Sequence, residues 1–169
     1  MEAQTDEKLM EAVAHGNLDM LRILFERHHV HVYNFLYKMS GDKMLSEDIT
    51  QEVFYKIMKY RTSYKNGKFI SWLFTIARNS LNTHYSRVKE HCSDLETVQV
   101  LEKEKEDFTH LHSALEKLES SDREVLILNR FQEIKYNELA EIMGSTPGAV
   151  KTKVSRALKK LKRIYFENI

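Results

Sequence analysis

A chain of 169 residues with 42% apolar and 30% charged side chains has the composition of a globular protein, enough for one domain or two small ones. One proline and five glycines favour helices joined by short turns, and the single cysteine, Cys92, excludes an intrachain disulfide and suits a reducing cytoplasm. The formal net charge of +1 suggests no polyanion partner by itself, no apolar run is long enough to cross a bilayer, and no signal-peptide pattern opens the sequence.

Thr5 is placed to cap a first short helix, with Asp6 and Glu7 in its favourable first turn and Gly16 behind its end. Asn17 is the expected cap of the next. From Leu18 the positions Leu21, Leu24, Phe25, Val32, Phe35, Leu36 and Met39 keep a helical stripe to about Ser40, where Gly41-Asp42 breaks it. Ser46 is the expected cap of a third helix, with Glu47 and Asp48 in its first turn and Ile49, Val53, Phe54, Ile57 and Met58 on its buried side. That leaves Asp48, Gln51, Glu52 and Tyr55 outside at spacings of three and four. Such a patch is either an ordinary solvated face or a docking surface.

Asn66-Gly67 marks a turn, and Phe69, Trp72, Leu73, Ile76 and Ala77 form the stripe of a fourth helix reaching about Val88. Trp72 lies in that stripe and reads as core rather than as a base-stacking platform. Ser71, Thr75, Arg78, Asn79, Asn82, Tyr85 and Arg87 are expected to face outward. Their mixture of hydrogen-bonding groups, positive charge and one aromatic ring suits unstacked bases better than a duplex groove. His91 to Asp107 loses periodicity and gains Asp94, Glu96, Glu102, Glu104, Glu106 and Asp107 against Lys103 and Lys105, the pattern of a mobile acidic linker.

Beyond it Phe108, Leu111, Leu115 and Leu118 begin a second domain. Ser121 is the expected cap of a helix from Asp122 to Gln132 with Val125, Leu128 and Phe131 inward. Leu139, Ala140 and Met143 then recur at helical spacing until Gly144, where a glycine takes the left-handed conformation that ends a helix. Ser145 or Thr146 can cap the next helix, and Pro147 fits its first turn. That last helix carries Val150, Val154, Ala157, Leu158 and Leu161 on one face. Thr152, Arg156, Lys159 and Arg163 point the opposite way, with Lys151, Ser155 and Lys162 on one flank and Lys153 and Lys160 on the other. No acidic residue interrupts Ser145 to Arg163. Solvated faces usually mix both signs, so a one-sign face on the second helix of a helix-turn-helix reads as a footprint for nucleic-acid phosphates. Thr152 and Ser155 are short enough to sit near base edges while lysines hold the backbone.

Other chemistries find little support. His28, His29 and His31, His91 with Cys92, and His110 with His112 lack the spacing of a closed zinc site, so no metal or cofactor is expected. Neither a nucleophile elbow nor a phosphate-binding glycine loop is present, which argues against an enzyme. A stand-alone repressor would have no use for the Asp48, Gln51, Glu52 patch.

The segments SEDITQEVFYKIMKY, FISWLFTIARN, LEKLESSDREVLILNRF and YNELAEIMGSTPGAVKTKVSRALKKL, in that order, resemble a bacterial RNA polymerase sigma factor of the extracytoplasmic-function group. The resemblance implies an all-α fold of two small helical domains, a region 2 bundle at 1–91 and a region 4 helix-turn-helix at 108–169, joined by a flexible acidic linker at 92–107. It implies that Asp48, Gln51, Glu52 and Tyr55 bind the clamp helices of the polymerase β′ subunit, and that the second domain meets the β flap. Ser71, Thr75, Arg78, Asn79, Ser80, Asn82 and Tyr85 would open the minus-10 promoter element, with Asn79 and its neighbours holding a flipped base. Lys151, Thr152, Lys153, Ser155, Arg156 and Lys159 would read the minus-35 element as duplex. An anti-sigma partner is implied too. The chain departs from the family's pattern in lacking a proline near Glu119 and a serine-like cap near Lys135, in having Leu158 where some relatives carry arginine, and in being less basic at Ser86 to Cys92.

Overall fold

A computed structural model describes residues 3–91 and 109–167. Among them are eight α-helices and no strand. The linker expected at 92–107 lies outside the described residues.

The first half is a four-helix body. Helix α1 (Asp6–Ala14) starts where Thr5 Oγ1 accepts from Lys8 N at 3.3 Å. Helix α2 (Asp19–Ser40) ends on Gly41, whose φ of 67° supplies the left-handed stop. Asn17 is not its cap: Leu18 takes that position with no side-chain bond, and Asn17 contributes only its carbonyl, to Met20 N at 3.3 Å. Nor does Ser46 cap helix α3 (Lys43–Lys59). The helix begins a turn earlier, where Asp42 accepts from Leu45 N at 3.0 Å, and Ser46 is buried inside it, donating to Asp42 O at 2.6 Å. Asp42 follows the helix-ending Gly41 directly, so one short turn serves both ends, and the more basic carboxylate takes the cap.

A 3₁₀ turn (Arg61–Ser63) and the Asn66-Gly67 reversal lead into helix α4 (Phe69–His91), with Asn66 at φ 38°. Its inward stripe is Phe69, Leu73, Phe74, Ala77 and Leu81, packed against Leu24, Val32, Phe35 and Leu36 of α2 and Ile49, Val53 and Ile57 of α3. Trp72 and Ile76 border this core and are half-buried.

Two acids hold α1 onto the body. Asp6 accepts from Arg27 Nη1 at 2.9 Å and lies 2.8 Å from His28 Nε2, while Glu7 accepts from Phe69 N at 3.2 Å, capping α4 from outside. The hydrogen bond with His28, followed by the bond and charge of Arg27, holds the Asp6 carboxyl below its usual range despite burial. A depressed carboxylate stabilises the fold above its unfolded pKa, and that contribution disappears as pH falls through the folded value. Asp6→Asn is therefore expected to cost about 1–2 kcal/mol at neutral pH. In acid titrations of urea stability, its deficit should shrink once the pH drops below the ordinary aspartate value of 3.8.

In the second half, helix α5 (Thr109–Lys117) and helix α6 (Ser120–Leu126) pack on helix α8 (Pro147–Glu167), while helix α7 (Tyr136–Met143) packs on α8 and on α4 of the first half. Ser121 is not a cap. Glu119 takes that position with no side-chain bond, and Ser121 is exposed in the first turn. The helix expected to reach Gln132 loosens into a π turn over Ile127–Phe131, closed by Gln132 N on Ile127 O at 3.0 Å. The extra residue in that turn shifts the register, so Phe131 faces out at 38% exposure instead of joining Val125 and Leu128 inside. Leu139, Ala140 and Ile142 make the buried face of α7, with Met143 at its edge.

Gly144 ends α7 at φ 63°, and Thr146 Oγ1 then accepts from Ala149 N at 3.2 Å to start α8. A Cβ on Gly144 would meet nothing within 4 Å, so only the left-handed backbone penalises a side chain there. Gly144→Ala should destabilise the second half by about 1 kcal/mol, measured by urea unfolding, without altering the packing around it.

The two halves touch. Arg123 on α6 donates to Leu115 O, Glu116 O and Leu118 O at 2.9, 3.0 and 3.2 Å, and across the divide to Met39 O at 2.9 Å. Lys38 sits 5.1 Å above the Phe131 ring, and Tyr37 stacks on His112 at 5.8 Å.

Candidate functional site

Three groups of side chains stand out, each set by the packing beneath it. On α3, burial of Ile49, Val53 and Ile57 turns Asp48, Gln51, Glu52 and Tyr55 outward, and all four are exposed, the Tyr55 ring at 56%. Lys56 on the same helix pairs with Glu52 at 2.9 Å and donates to Ser80 Oγ at 2.9 Å. One side chain thus ties this patch to α4.

Along α4 the expected outward set divides. Asn79, Asn82 and Tyr85 are exposed, Thr75 is half-buried, and Ser71 and Ser80 are buried at 5% and 2%. Ser71 disagrees with the outward reading, and Ser80, which only the resemblance had named, is buried as well. Their positions fall beside the Leu73–Ala77–Leu81 stripe, and a small hydroxyl is tolerated there where a longer polar side chain is not. Ser80 is satisfied by Lys56, whereas Ser71 Oγ is buried without a hydrogen-bond partner. Thr75 Oγ1 donates to Ser71 O at 2.6 Å. Arg78 is not free either: its guanidinium forms an ion pair with Glu124 of α6, whose carboxylate is only 9% exposed.

Ser71 opens onto a cleft of about 290 Å³ whose wall was not legible in the sequence. Ser63, Tyr64, Lys65, Gly67 and Lys68 from the α3–α4 loop form one side, Ser71, Trp72 and Thr75 of α4 another, and Glu141 of α7 a third. Tyr64 lies 5.3 Å from Trp72, centroid to centroid, and its hydroxyl donates to Gly67 O, which folds the loop back over the helix. Burial and then the nearby Glu7, Asp6 and Glu11 push the Tyr64 phenol up to about 12, so it stays a neutral donor. The signal available beforehand was two lysines and a tyrosine flanking the Asn66-Gly67 turn.

The third group lies on α8. Lys151, Thr152, Ser155, Arg156 and Lys159 are exposed, and Lys153 is half-buried. Thr152 Oγ1 donates to Gly148 O at 3.1 Å, which leaves an oxygen lone pair and a methyl group at the surface. Lys160, by contrast, is held by the buried Asp122 at 3.0 Å. The exposed face is cationic, convex and carried on the second helix of a tight helix-turn-helix, a shape that fits a major groove.

Comparison with known proteins agrees with this geometry. Residues 24–90 match Sigma-70 region 2 and residues 109–161 match Sigma-70, region 4. The RNA polymerase sigma factor CarQ of Myxococcus xanthus is 30% identical over 167 residues, covering 94% of this chain and 96% of CarQ. The chain is an extracytoplasmic-function sigma factor.

Other relatives of this sigma factor include SigV of Bacillus subtilis, 35% identical over 130 residues, which span 74% of this chain and 77% of SigV. Among solved structures, RpoE of Bartonella quintana, crystallised with the anti-sigma factor NepR, superposes with a TM-score of 0.71 at 26% identity, covering 85% of this chain and 94% of RpoE. CnrH, solved with the cytosolic domain of CnrY, shares the fold with a TM-score of 0.79 at 21% identity, over 97% and 99% of the two chains. As a sigma factor the protein is a DNA-recognition subunit, not an enzyme: it binds core RNA polymerase and directs it to promoters to begin transcription. No described helix is long and apolar enough to cross a membrane.

Proposed function

We propose that the sigma factor divides its work by surface, with 1–91 gripping polymerase and the minus-10 element, 108–169 reading the minus-35 element, and 92–107 serving as the tether. The α3 face of Asp48, Gln51, Glu52 and Tyr55 docks on the β′ clamp helices, and the second half meets the β flap. The acids there are exposed and Tyr55 offers apolar area at its rim, which suits a basic coiled-coil partner. Asp48→Lys with Gln51→Lys should abolish core binding in a pull-down while leaving the affinity of α8 for duplex DNA unchanged. Normal core binding by that variant would refute the assignment.

The minus-10 reading is supported above all by the unpartnered Ser71 hydroxyl at the wall of the Tyr64–Trp72 cleft. A buried polar atom without a partner is costly, and an extruded base supplies both the missing hydrogen bond and stacking area. Lys65, Lys68 and Arg78 flank the cleft and the adjoining face for phosphates, and Asn79, Asn82 and Tyr85 continue it along α4 with the Ser80 hydroxyl beneath. Trp72 is then both a border of the core and one wall of the cleft. Ser71→Ala and Trp72→Ala should slow strand opening, read by permanganate reactivity of promoter thymines. A pre-melted template should restore part of the loss.

On the minus-35 element, Thr152 and Ser155 are placed for base edges, and Lys151, Lys153, Arg156 and Lys159 for phosphates or bases. Lys160 is spent on Asp122. Lys151→Ala is expected to weaken binding to every duplex and lower the salt slope by about 1. Thr152→Ala should instead cost about 1–3 kcal/mol at a single promoter position. The RpoE relative was solved with an anti-sigma factor, which supports a partner of that class for this chain. We place its activity in the cytoplasm, where polymerase and promoters are.

A further inference from the structure

Helix α1 carries an acid whose carboxylate serves another helix. The region 2 match begins at residue 24, so α1 precedes it, yet α1 packs on the 3₁₀ turn and on α4 as well as on α2. Glu7 is half-buried in the first turn of α1, and its Oε1 accepts from Phe69 N at 3.2 Å. Phe69 opens α4, where a backbone N–H has no partner inside the helix, and the residue before it, Lys68, has no side-chain acceptor to offer. A carboxylate 62 positions away in the chain fills that role.

Phe69 links this bond to the cleft. It is fully buried, and its ring lies 5.3 Å from His28, centroid to centroid, and 6.5 Å from each of Tyr64 and Trp72. His28 is the partner of Asp6, so the contacts that hold α1 on the body lead directly to the two rings of the cleft wall. The Tyr64 phenol feels Glu7, Asp6 and Glu11 after burial itself, which puts the acidic edge of α1 close behind that wall. The intervening loop turns on Asn66 at φ 38°, a conformation disfavoured for a residue with a Cβ, so a brace at its far end has something to hold.

We infer that Glu7 is a positioning residue for strand opening: through the Phe69 N–H it fixes the start of α4, and with it the gap between Tyr64 and Trp72 that receives the extruded base. The role rests on the minus-10 reading given above. Hydrogen bonds and ring stacking both weaken with misalignment, so a wall that drifts captures a base less well. Glu7 acts without touching DNA. Its charge would repel promoter phosphates, and its contribution is the acceptor it offers Phe69.

Trp72 is the only tryptophan, so its emission reports the cleft in the full-length protein. Glu7→Ala removes the acceptor, whereas Glu7→Gln keeps it and drops the charge. Glu7→Ala is expected to shift the Trp72 emission to the red. With core polymerase, on a promoter recovered by run-off transcription, it should slow the opening step about fivefold, the factor for one net hydrogen bond, while the affinity of the closed complex holds. Glu7→Gln should match wild type in both readouts. Glu7→Asp, whose carboxylate is one methylene shorter, is the milder second variant and should fall between them, the fold of each being checked by circular dichroism. Equal defects in Glu7→Ala and Glu7→Gln overturn the inference, because the charge would then be what acts. So does a Glu7→Ala defect that persists undiminished in a Trp72→Ala background, since a residue working through the cleft loses its effect once the wall is gone. Ser71→Ala and Trp72→Ala judge the underlying site separately. Unimpaired opening in both sinks the minus-10 reading, whereas slow opening in both beside normal opening in Glu7→Ala sinks the positioning role alone.

Discussion

Burial of the Phe69, Leu73, Phe74, Ala77 and Leu81 stripe of α4 is the constraint on which the rest of the structure depends. At about 1.5–3 kcal/mol for each large side chain, that stripe fixes the rotation of the helix more firmly than any polar contact on its surface. Once it faces α2 and α3, Asn79, Asn82 and Tyr85 have only the outside left to them. The stripe also brings Ser71 and Ser80 just under the surface, and it sets Trp72 at the edge where the α3–α4 loop can close against it. The same reasoning holds for α8, where Val150, Val154, Ala157 and Leu161 anchor one face and the lysines and arginines inherit the other.

Surface chemistry is then divided by sign. Asp48 and Glu52 mark the outward patch of α3, cations gather on α8, and α4 carries a polar edge with two arginines, Arg78 and Arg87. A protein that must bind a polypeptide partner and a polyanion at once gains from this separation, because each surface repels the wrong ligand. Lys56 is the exception that links two surfaces, spanning Glu52 of the α3 patch and Ser80 of α4. Arg123 plays a similar part between the halves. It satisfies carbonyls at the end of α5 and one at the end of α2, groups that a helix leaves without internal partners.

Much of this was legible beforehand, because helical periodicity is strong wherever a helix has one buried side. The extents of α2, α4 and α7, the Gly41 and Gly144 stops, and the exposed faces of α3 and α8 are all set by spacing. Caps were harder. Asn17, Ser46 and Ser121 are good capping residues by type, yet the chain starts its helices at Leu18, Asp42 and Glu119, since cap choice depends on where the preceding turn ends. Phe131 was misplaced for a related reason, as a π turn shifts the register by one residue and no local sequence signal announces it. The Tyr64–Trp72 cleft and the Arg78–Glu124 pair join residues far apart in the chain, and a contact of that kind leaves no trace in periodicity.

Two helical bodies lend promoter specificity to a polymerase that has none without them. Run-off transcription with purified core enzyme on a fragmented genomic library tests it most directly. Discrete transcripts should appear only when the chain is added, starting downstream of a shared pair of short sequence elements. Core enzyme that gains no start sites from the chain, while the chain alone binds one duplex operator tightly, would contradict it.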